Sequence, residues 1–361
     1  MLAEDDDQKQ SSPIRQRFID NKRGAHKVKK KLYRILSTAV LTGTMAGASF
    51  AADFPEKDFQ GVIMWGAGGA MDNVARAITP IVELELGKSI VLTNRAGGAG
   101  AISTNFVNSR PSDGYTLLYG AENPQLHKVL GLSKIDYADF YPVNILARGV
   151  AVIVTNNDKP WNSLKDLVAD VQANPGEVKM GSTGPGGLPF VVGAMLKSTT
   201  DFDVRAVPFD GEGPGITALQ GGHVDFMPAG LTAVREHIRA GRVKPLAVVS
   251  DEPIPGLEDI PLITTDLPDF KQFLPWGPFY GIFAKRDIPN DAKTELTDAF
   301  SKAASEEAFG RFMADFGAVM VNISGEVADA YLKHYQSVTT WSLHNVGETK
   351  MSPEEFGIPK P

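Results

Sequence analysis

Short apolar runs bounded by glycine alternate with stretches whose apolar residues recur every three or four positions. The first run, Gly61-Val62-Ile63-Met64-Trp65, predicts a buried strand. Gly66-Ala67-Gly68-Gly69-Ala70 follows as a loop. Asp72 is placed to cap a helix whose face is Val74, Ile78, Ile81 and Leu84, with a kink expected at Pro80 and an end at Gly87. Residues 89–92 predict the next strand, so the segment reads as a βαβ unit.

The pattern continues downstream. Residues 101–107 predict a helix and 115–119 a strand. Residues 150–155 predict a strand, and Ser163 caps a helix over 164–172. Val178-Lys179-Met180 leads into a second glycine loop, Gly181-Ser182-Thr183-Gly184-Pro185-Gly186-Gly187, and a helix over 189–198. Helices are expected at 214–219 and 231–239, with strands at 224–227 and 245–249. Three helices close the chain, at 291–304, 308–316 and 326–344. Alternation of this kind predicts an α/β class with mostly parallel sheets, and no tandem repeat is visible.

Charge separates the amino terminus from the rest. The 361 residues carry a formal net charge of -7; the first 51 hold 10 basic and 5 acidic residues, leaving -12 for residues 52–361. Lys27, Lys29, Lys30, Lys31 and Arg34 precede a charge-free run over 35–52 that ends Ala48-Ser49-Phe50-Ala51-Ala52. A basic segment, an apolar segment and small residues in that order predict an export signal cleaved after Ala51. The run is too rich in Ser, Thr and Gly for a membrane anchor. Val28, directly before the lysines, is the expected translation start. With 36 Gly and no Cys, the composition excludes disulfides and thiolate chemistry, and the acidic balance excludes nucleic acid as a partner.

Neither glycine loop matches a nucleotide or hydrolase signature. Met71 stands where a dinucleotide loop requires its last Gly or Ala, and Asn94 where it requires an acid. Val82 replaces the first Gly of a P-loop ending at Gly87-Lys88-Ser89, and Gly181 directly precedes Ser182, unlike a nucleophile elbow. The six histidines lack metal-ligand spacing, so neither a metal nor a cofactor is expected. Each loop does join a strand's carboxyl end to a helix's amino end. Such a turn presents backbone N–H groups and the positive end of the helix dipole, and holds anions without Lys or Arg. Ser182 and Thr183 add hydroxyl donors. Two such loops facing each other would hold the carboxylate of a small molecule.

An ordered set of motifs carries a family resemblance. It runs through Gly66–Asp72, Ala75-Arg76, Leu86-Gly87, the segment 91–100, Pro111-Ser112-Asp113-Gly114-Tyr115, Ser163-Leu164-Lys165-Asp166-Leu167, Gly181–Gly187, Val207-Pro208-Phe209-Asp210-Gly211-Glu212-Gly213-Pro214, the segments 219–225 and 240–247, and Trp276-Gly277. Over 54–345 the chain resembles the tripartite tricarboxylate transporter receptors, also called the Bug family of periplasmic solute-binding proteins. The resemblance implies a periplasmic binding protein of two α/β lobes, 52–153 plus 278–361 and 154–277, with two hinge crossings and an interlobe ligand cleft. By the same resemblance Gly68, Gly69, Ala70 and Asp72 on one lobe, and Ser182, Thr183 and Gly184 on the other, grip a ligand carboxylate. The segments Gly120-Ala121-Glu122-Asn123 and Phe209-Asp210-Gly211 are expected to line the cleft, and Trp65 to form an apolar wall. Asp72 has a second reading as a helix cap.

The chain departs from the family where Tyr-Lys-Gly is usual and Phe209-Asp210-Gly211 stands, followed by Glu212. An acid near a ligand carboxylate disfavours a polyanion. Either Asp210 and Glu212 point to solvent, or the ligand's distal end is neutral or cationic. The implied role is capture and closure of a small organic carboxylate, and docking of a monomeric receptor on large and small integral membrane subunits. Alternatives are a sensor for a membrane kinase, an exported hydrolase using Ser182 with a histidine from elsewhere, and a nicotinamide enzyme.

Overall fold

The computed structural model describes residues 54–209 and 211–361; the export signal with its cleavage after Ala51, the start expected at Val28, and Asp210 lie outside the described residues. In chain order the elements are β1 (Phe59–Ile63), α1 (Ala70–Leu86), β2 (Ile90–Asn94), α2 (Ala101–Asn108), β3 (Thr116–Gly120), β4 (Phe140–Gly149) and β5 (Ala151–Thr155). Then come α3 (Leu164–Ala173), β6 (Lys179–Ser182), α4 (Leu188–Thr199), β7 (Arg205–Pro208), α5 (Glu212–Gln220), β8 (Phe226–Gly230), α6 (Leu231–Arg239) and β9 (Lys244–Val249). The chain ends with α7 (Ile263–Asp266), β10 (Phe279–Lys285), α8 (Asn290–Ser305), α9 (Glu307–Phe316), β11 (Ala318–Ile323) and α10 (Gly325–Asn345).

Two sheets share these strands, a six-stranded one ordered β11-β4-β10-β3-β1-β2 and a five-stranded one ordered β7-β6-β8-β5-β9. The chain passes from the first to the second at Val150, and β5 pairs residues 151–153 wholly within the second. It returns between β9 and β10.

The expectation of mostly parallel sheets is corrected. β1 runs parallel to β2 and β3, and β6 runs parallel to β7 and β8. β10 is antiparallel to β3 and β4, β11 to β4, and β5 to β8 and β9. The parallel pairs arise where a helix carries the chain back over the sheet, as the glycine loops foretell. The strands β4, β10 and β11, which the hydrophobic pattern did not single out, supply the antiparallel half of the first sheet. Pro142 lies in β4 beside a register shift, which lets that strand accommodate a residue without an N–H.

Helix boundaries follow local chemistry. Ser163 accepts from the Asp166 N–H while Asp166 accepts from the Ser163 N–H, a capping box that starts α3. Gly87 ends α1 at φ 64°, where a side chain would be strained. α1 continues past Pro80 as one helix, with Pro80 on its exposed face. The expected cap is also corrected: Gly69 occupies that position and Asp72 lies in the first turn.

The core forms three packed groups. One face of the first sheet buries Val74, Ile78 and Val82 of α1 against Leu296 and Phe300 of α8. A second group joins Met64, Tyr137 and Phe283 from the first sheet's side to Met180, Val191 and Leu196 from the second's, with Leu332 and Val338 of α10 between them. Tyr137 stacks on Phe283 at a centroid distance of 3.9 Å. Side chains of this size contribute roughly 1.5–3 kcal/mol each when fully buried. The third group fills the far face of the second sheet, around Val152, Leu219 and Val234. Among the described residues no helix is long and apolar enough to cross a membrane.

Candidate functional site

The first glycine loop ends β1 and begins α1. Its N–H at Gly69 bonds the Gly66 carbonyl at 3.2 Å, closing a tight turn. Gly68 sits at φ 78°, which only glycine adopts without strain. Asp72 is buried and turned back into the loop. It accepts from the Gly68 N–H at 2.9 Å, from Asn94 Nδ2 at 2.9 Å and from Arg76. The Arg76 hydrogen bond, opposed by burial and aided by the Gly68 and Asn94 donors, lowers its pKa to about 2. Asp72 therefore positions the loop, and its carboxylate is fully engaged within it. Asn94 also donates to the Trp65 carbonyl at 2.9 Å, tying the end of β1 to the end of β2. Trp65 itself is half-buried and packs against two of the three core groups. The amides of Ala70 and Met71 belong to the first turn of α1, which has no carbonyls of its own to offer them.

The second glycine loop ends β6 and begins α4. Ser182 is buried; its hydroxyl accepts from the Gly184 N–H at 3.3 Å, and its carbonyl accepts from the Phe209 N–H at 2.8 Å. Gly184 and Gly186 have φ of 83° and 81°. Gly187 caps α4, and its α-carbon lies so close to Thr183 that a side chain there would collide with the Thr183 hydroxyl.

Residues after β3 link the two sheets. Asn123 is buried, and its Nδ2 donates to the Gly186 carbonyl at 2.8 Å. Its Oδ1 is buried without a partner. Gly120 and Ala121 serve the fold around this contact. A side chain at Gly120 would strike the Tyr137 hydroxyl, and that hydroxyl donates to the Ala121 carbonyl at 2.5 Å. Among the described residues no hydrogen bond joins 66–70 directly to 181–187; Asn123 ties the second loop to the residues that follow β3.

Two acids stand beside this link. Glu122 is buried, and its Oε2 has no partner. Burial pushes its carboxyl up to about 7, against the backbone amides of Glu122 and Phe279 that stabilise the charge; the Glu212 carboxylate raises it further. Glu212, in the first turn of α5, accepts from the Gly230 N–H at 2.8 Å, and burial raises its pKa as well. It is half-buried and bonds inward, so of the two alternatives left by the sequence Glu212 does not fit the one in which it points wholly to solvent. The hydroxyls of Tyr331 and Tyr335 on α10 are likewise buried without partners. Glu122 falls in the segment expected to line the cleft, whereas the tyrosines carried no signal, since they stand in a helical stretch of ordinary composition.

The hydrolase alternative finds no support among the described residues: no histidine hydrogen-bonds to Ser182. His127 is buried with its two ring nitrogens on the Ile135 and Ala99 carbonyls, His237 bonds Gln220 and Arg242, and His344 bonds Thr349. Nor do the described residues contain a group of three or more His, Asp or Glu arranged to hold a metal ion.

The comparisons agree with this architecture. A model of the tripartite tricarboxylate transporter family receptor matches residues 74–336. The protein BugT of Bordetella pertussis is 27% identical over 296 residues, 81% of this chain and 90% of that one. The structure of the periplasmic binding protein BugD superposes with a TM-score of 0.70 at 25% identity, covering 85% of this chain and 100% of BugD. R. palustris Rpa4515 with adipate gives 0.73 at 24% identity, covering 82% and 99%.

Proposed function

As this chain belongs to the tripartite tricarboxylate transporter receptor family, we propose that it captures a small carboxylate-bearing solute and delivers it to the membrane subunits of such a transporter. In this reading the protein is exported to the periplasm and acts as a monomer. The two sheets are the centres of two lobes, one built from 54–149 and the segment from β10 onward, the other from β5 to β9. The observation that carries the reading is the pairing of two strand–glycine loop–helix turns, one on each sheet, beside a side chain that bonds across. The ligand carboxylate is held by the loop amides of Gly69 and Ala70 from one lobe and by Ser182, Thr183 and Gly184 from the other. Ligand that contacts both lobes favours the closed form by its differential affinity. Binding and release, rather than bond chemistry, is then the protein's work. Gly68 and Asp72 hold the loop that does the gripping.

A thermal-shift screen tests this. The protein is unfolded and refolded to strip co-purified ligand, then heated with mono-, di- and tricarboxylates, amino acids, and NAD as a control. Ligand at 100 times its Kd adds about 2.7 kcal/mol, which raises Tm by roughly 5 °C. A shift with one class of carboxylate supports the reading, and a shift with NAD alone rejects it.

A further inference from the structure

The cluster beside the second glycine loop is rich in side-chain oxygens. Asn123 touches that loop at Gly186, and Phe209 touches it at Ser182. Glu122 precedes the first of these residues, and Glu212 follows the second by three positions. One acid thus comes from the end of β3 and the other from the start of α5, one from each sheet's side. Glu122 is 8% exposed with a free Oε2, and Asn123 is 3% exposed with a free Oδ1. The hydroxyls of Tyr331 and Tyr335 add two more unpartnered oxygens. Buried polar atoms without partners are costly and rarely left so.

From this juxtaposition we propose that the solute carries a protonated amine as well as a carboxylate, and that Glu122, Glu212 and Asn123 receive the ammonium group. The inference rests on the receptor reading above and specifies its ligand class. An ammonium is the matching group, because it offers three donors and no acceptor. Where the acids are ionised, a second carboxylate would meet like charges and an amide oxygen. Arg148, whose charge acts on the two α10 tyrosines, is otherwise occupied. Its Nη1 donates to the Trp276 carbonyl at 3.2 Å.

Proton linkage gives the inference a sign. Glu122 is faced by Glu212 from α5, Tyr280 from β10, Tyr137 from the turn before β4, and Tyr331 and Tyr335 from α10. The tyrosines stay neutral through pH 8, because burial raises each of them. Glu122 titrates near neutrality, and burial raises Glu212 as well. An ammonium therefore binds more tightly as pH rises through 7, and a second carboxylate more weakly.

The test is isothermal titration calorimetry on the refolded protein, using pairs that exchange one carboxylate for an amine. 4-Aminobutyrate is set against glutarate, 5-aminopentanoate against adipate, and α-amino acids against the corresponding plain acids. The expected result is that the amine-bearing member of a pair binds at least tenfold tighter at pH 7.5, with affinity rising from pH 6 to 8. Glu122→Gln is expected to remove that preference. Tighter binding of the dicarboxylate, with affinity falling as pH rises, overturns the inference and leaves the receptor reading intact. Binding by neither set overturns both. The pH series uses the unsubstituted protein, so the outcome does not depend on how the variant folds.

Discussion

Asn123 Nδ2 donates to the Gly186 carbonyl at 2.8 Å, joining the end of a strand in one sheet to the loop that precedes a helix of the other. The two residues are 63 positions apart and both are buried. The bond holds the second glycine loop against the first sheet's side while the Asn123 Oδ1 stays open. Asn123→Ala is expected to cost about 1–2 kcal/mol of stability through the lost bond and its unsatisfied carbonyl. It is also expected to weaken ligand affinity severalfold. Urea unfolding with and without ligand checks both, and an Asn123→Ala protein of unchanged affinity would place the ligand away from this contact.

Asp72 does for the first loop what Asn123 does for the second. Its carboxylate joins the Gly68 N–H, Asn94 and Arg76. Asp72→Asn is expected to destabilise by about 1–3 kcal/mol and to lower affinity indirectly, by loosening the loop. The pH signature is specific. A carboxyl whose folded pKa lies near 2, below its ordinary 3.8, stabilises above pH 4. That contribution fades as the pH falls from 4 to 2. The stability gap between the native protein and Asp72→Asn should close over that window, as acid-unfolding curves would reveal.

Glu122 has the opposite linkage. Its folded pKa near 7 exceeds the ordinary 4.5, so the folded state holds a proton that the unfolded chain has already lost. Stability contributed by that proton is complete below pH 4.5 and disappears as the pH rises to 7. Glu122→Gln should therefore raise stability at pH 8, by roughly 1–3 kcal/mol, and change it little at pH 4. Equal effects at both pH values would argue against a buried, protonated carboxyl in the free protein.

Gly187→Ala tests the second loop by displacing one of its hydroxyl donors. The added methyl collides with the Thr183 hydroxyl and forces that side chain to rotate. Ligand affinity is expected to fall at least tenfold while Tm moves by only a few degrees. Ser163→Ala is the control on the same sheet's side. It removes the α3 capping box at a cost of about 1 kcal/mol and leaves affinity unchanged. Calorimetric titration of both variants separates the two effects.

Much of this molecule was legible along the chain because its signals are local. The glycine loops, the caps at Ser163 and Gly87, and the apolar faces of α1 and α3 depend on residues a few positions apart. Their order carried the family resemblance, and the family match over 74–336 agrees with it. What the chain could not reveal is set by partners far away in sequence. β4 and β10 lack a clean alternating pattern, since both are buried on both faces, and only pairing shows that half of each sheet is antiparallel. Asp72 looks like a cap until Gly69 is seen in that place and Asn94 on its carboxylate. Nothing in the chain shows how far Glu122 and Glu212 are buried, because burial is not a local property. Ninety positions separate them in the chain, and the fold alone buries Glu122, half-buries Glu212 and sets the two carboxyls against each other.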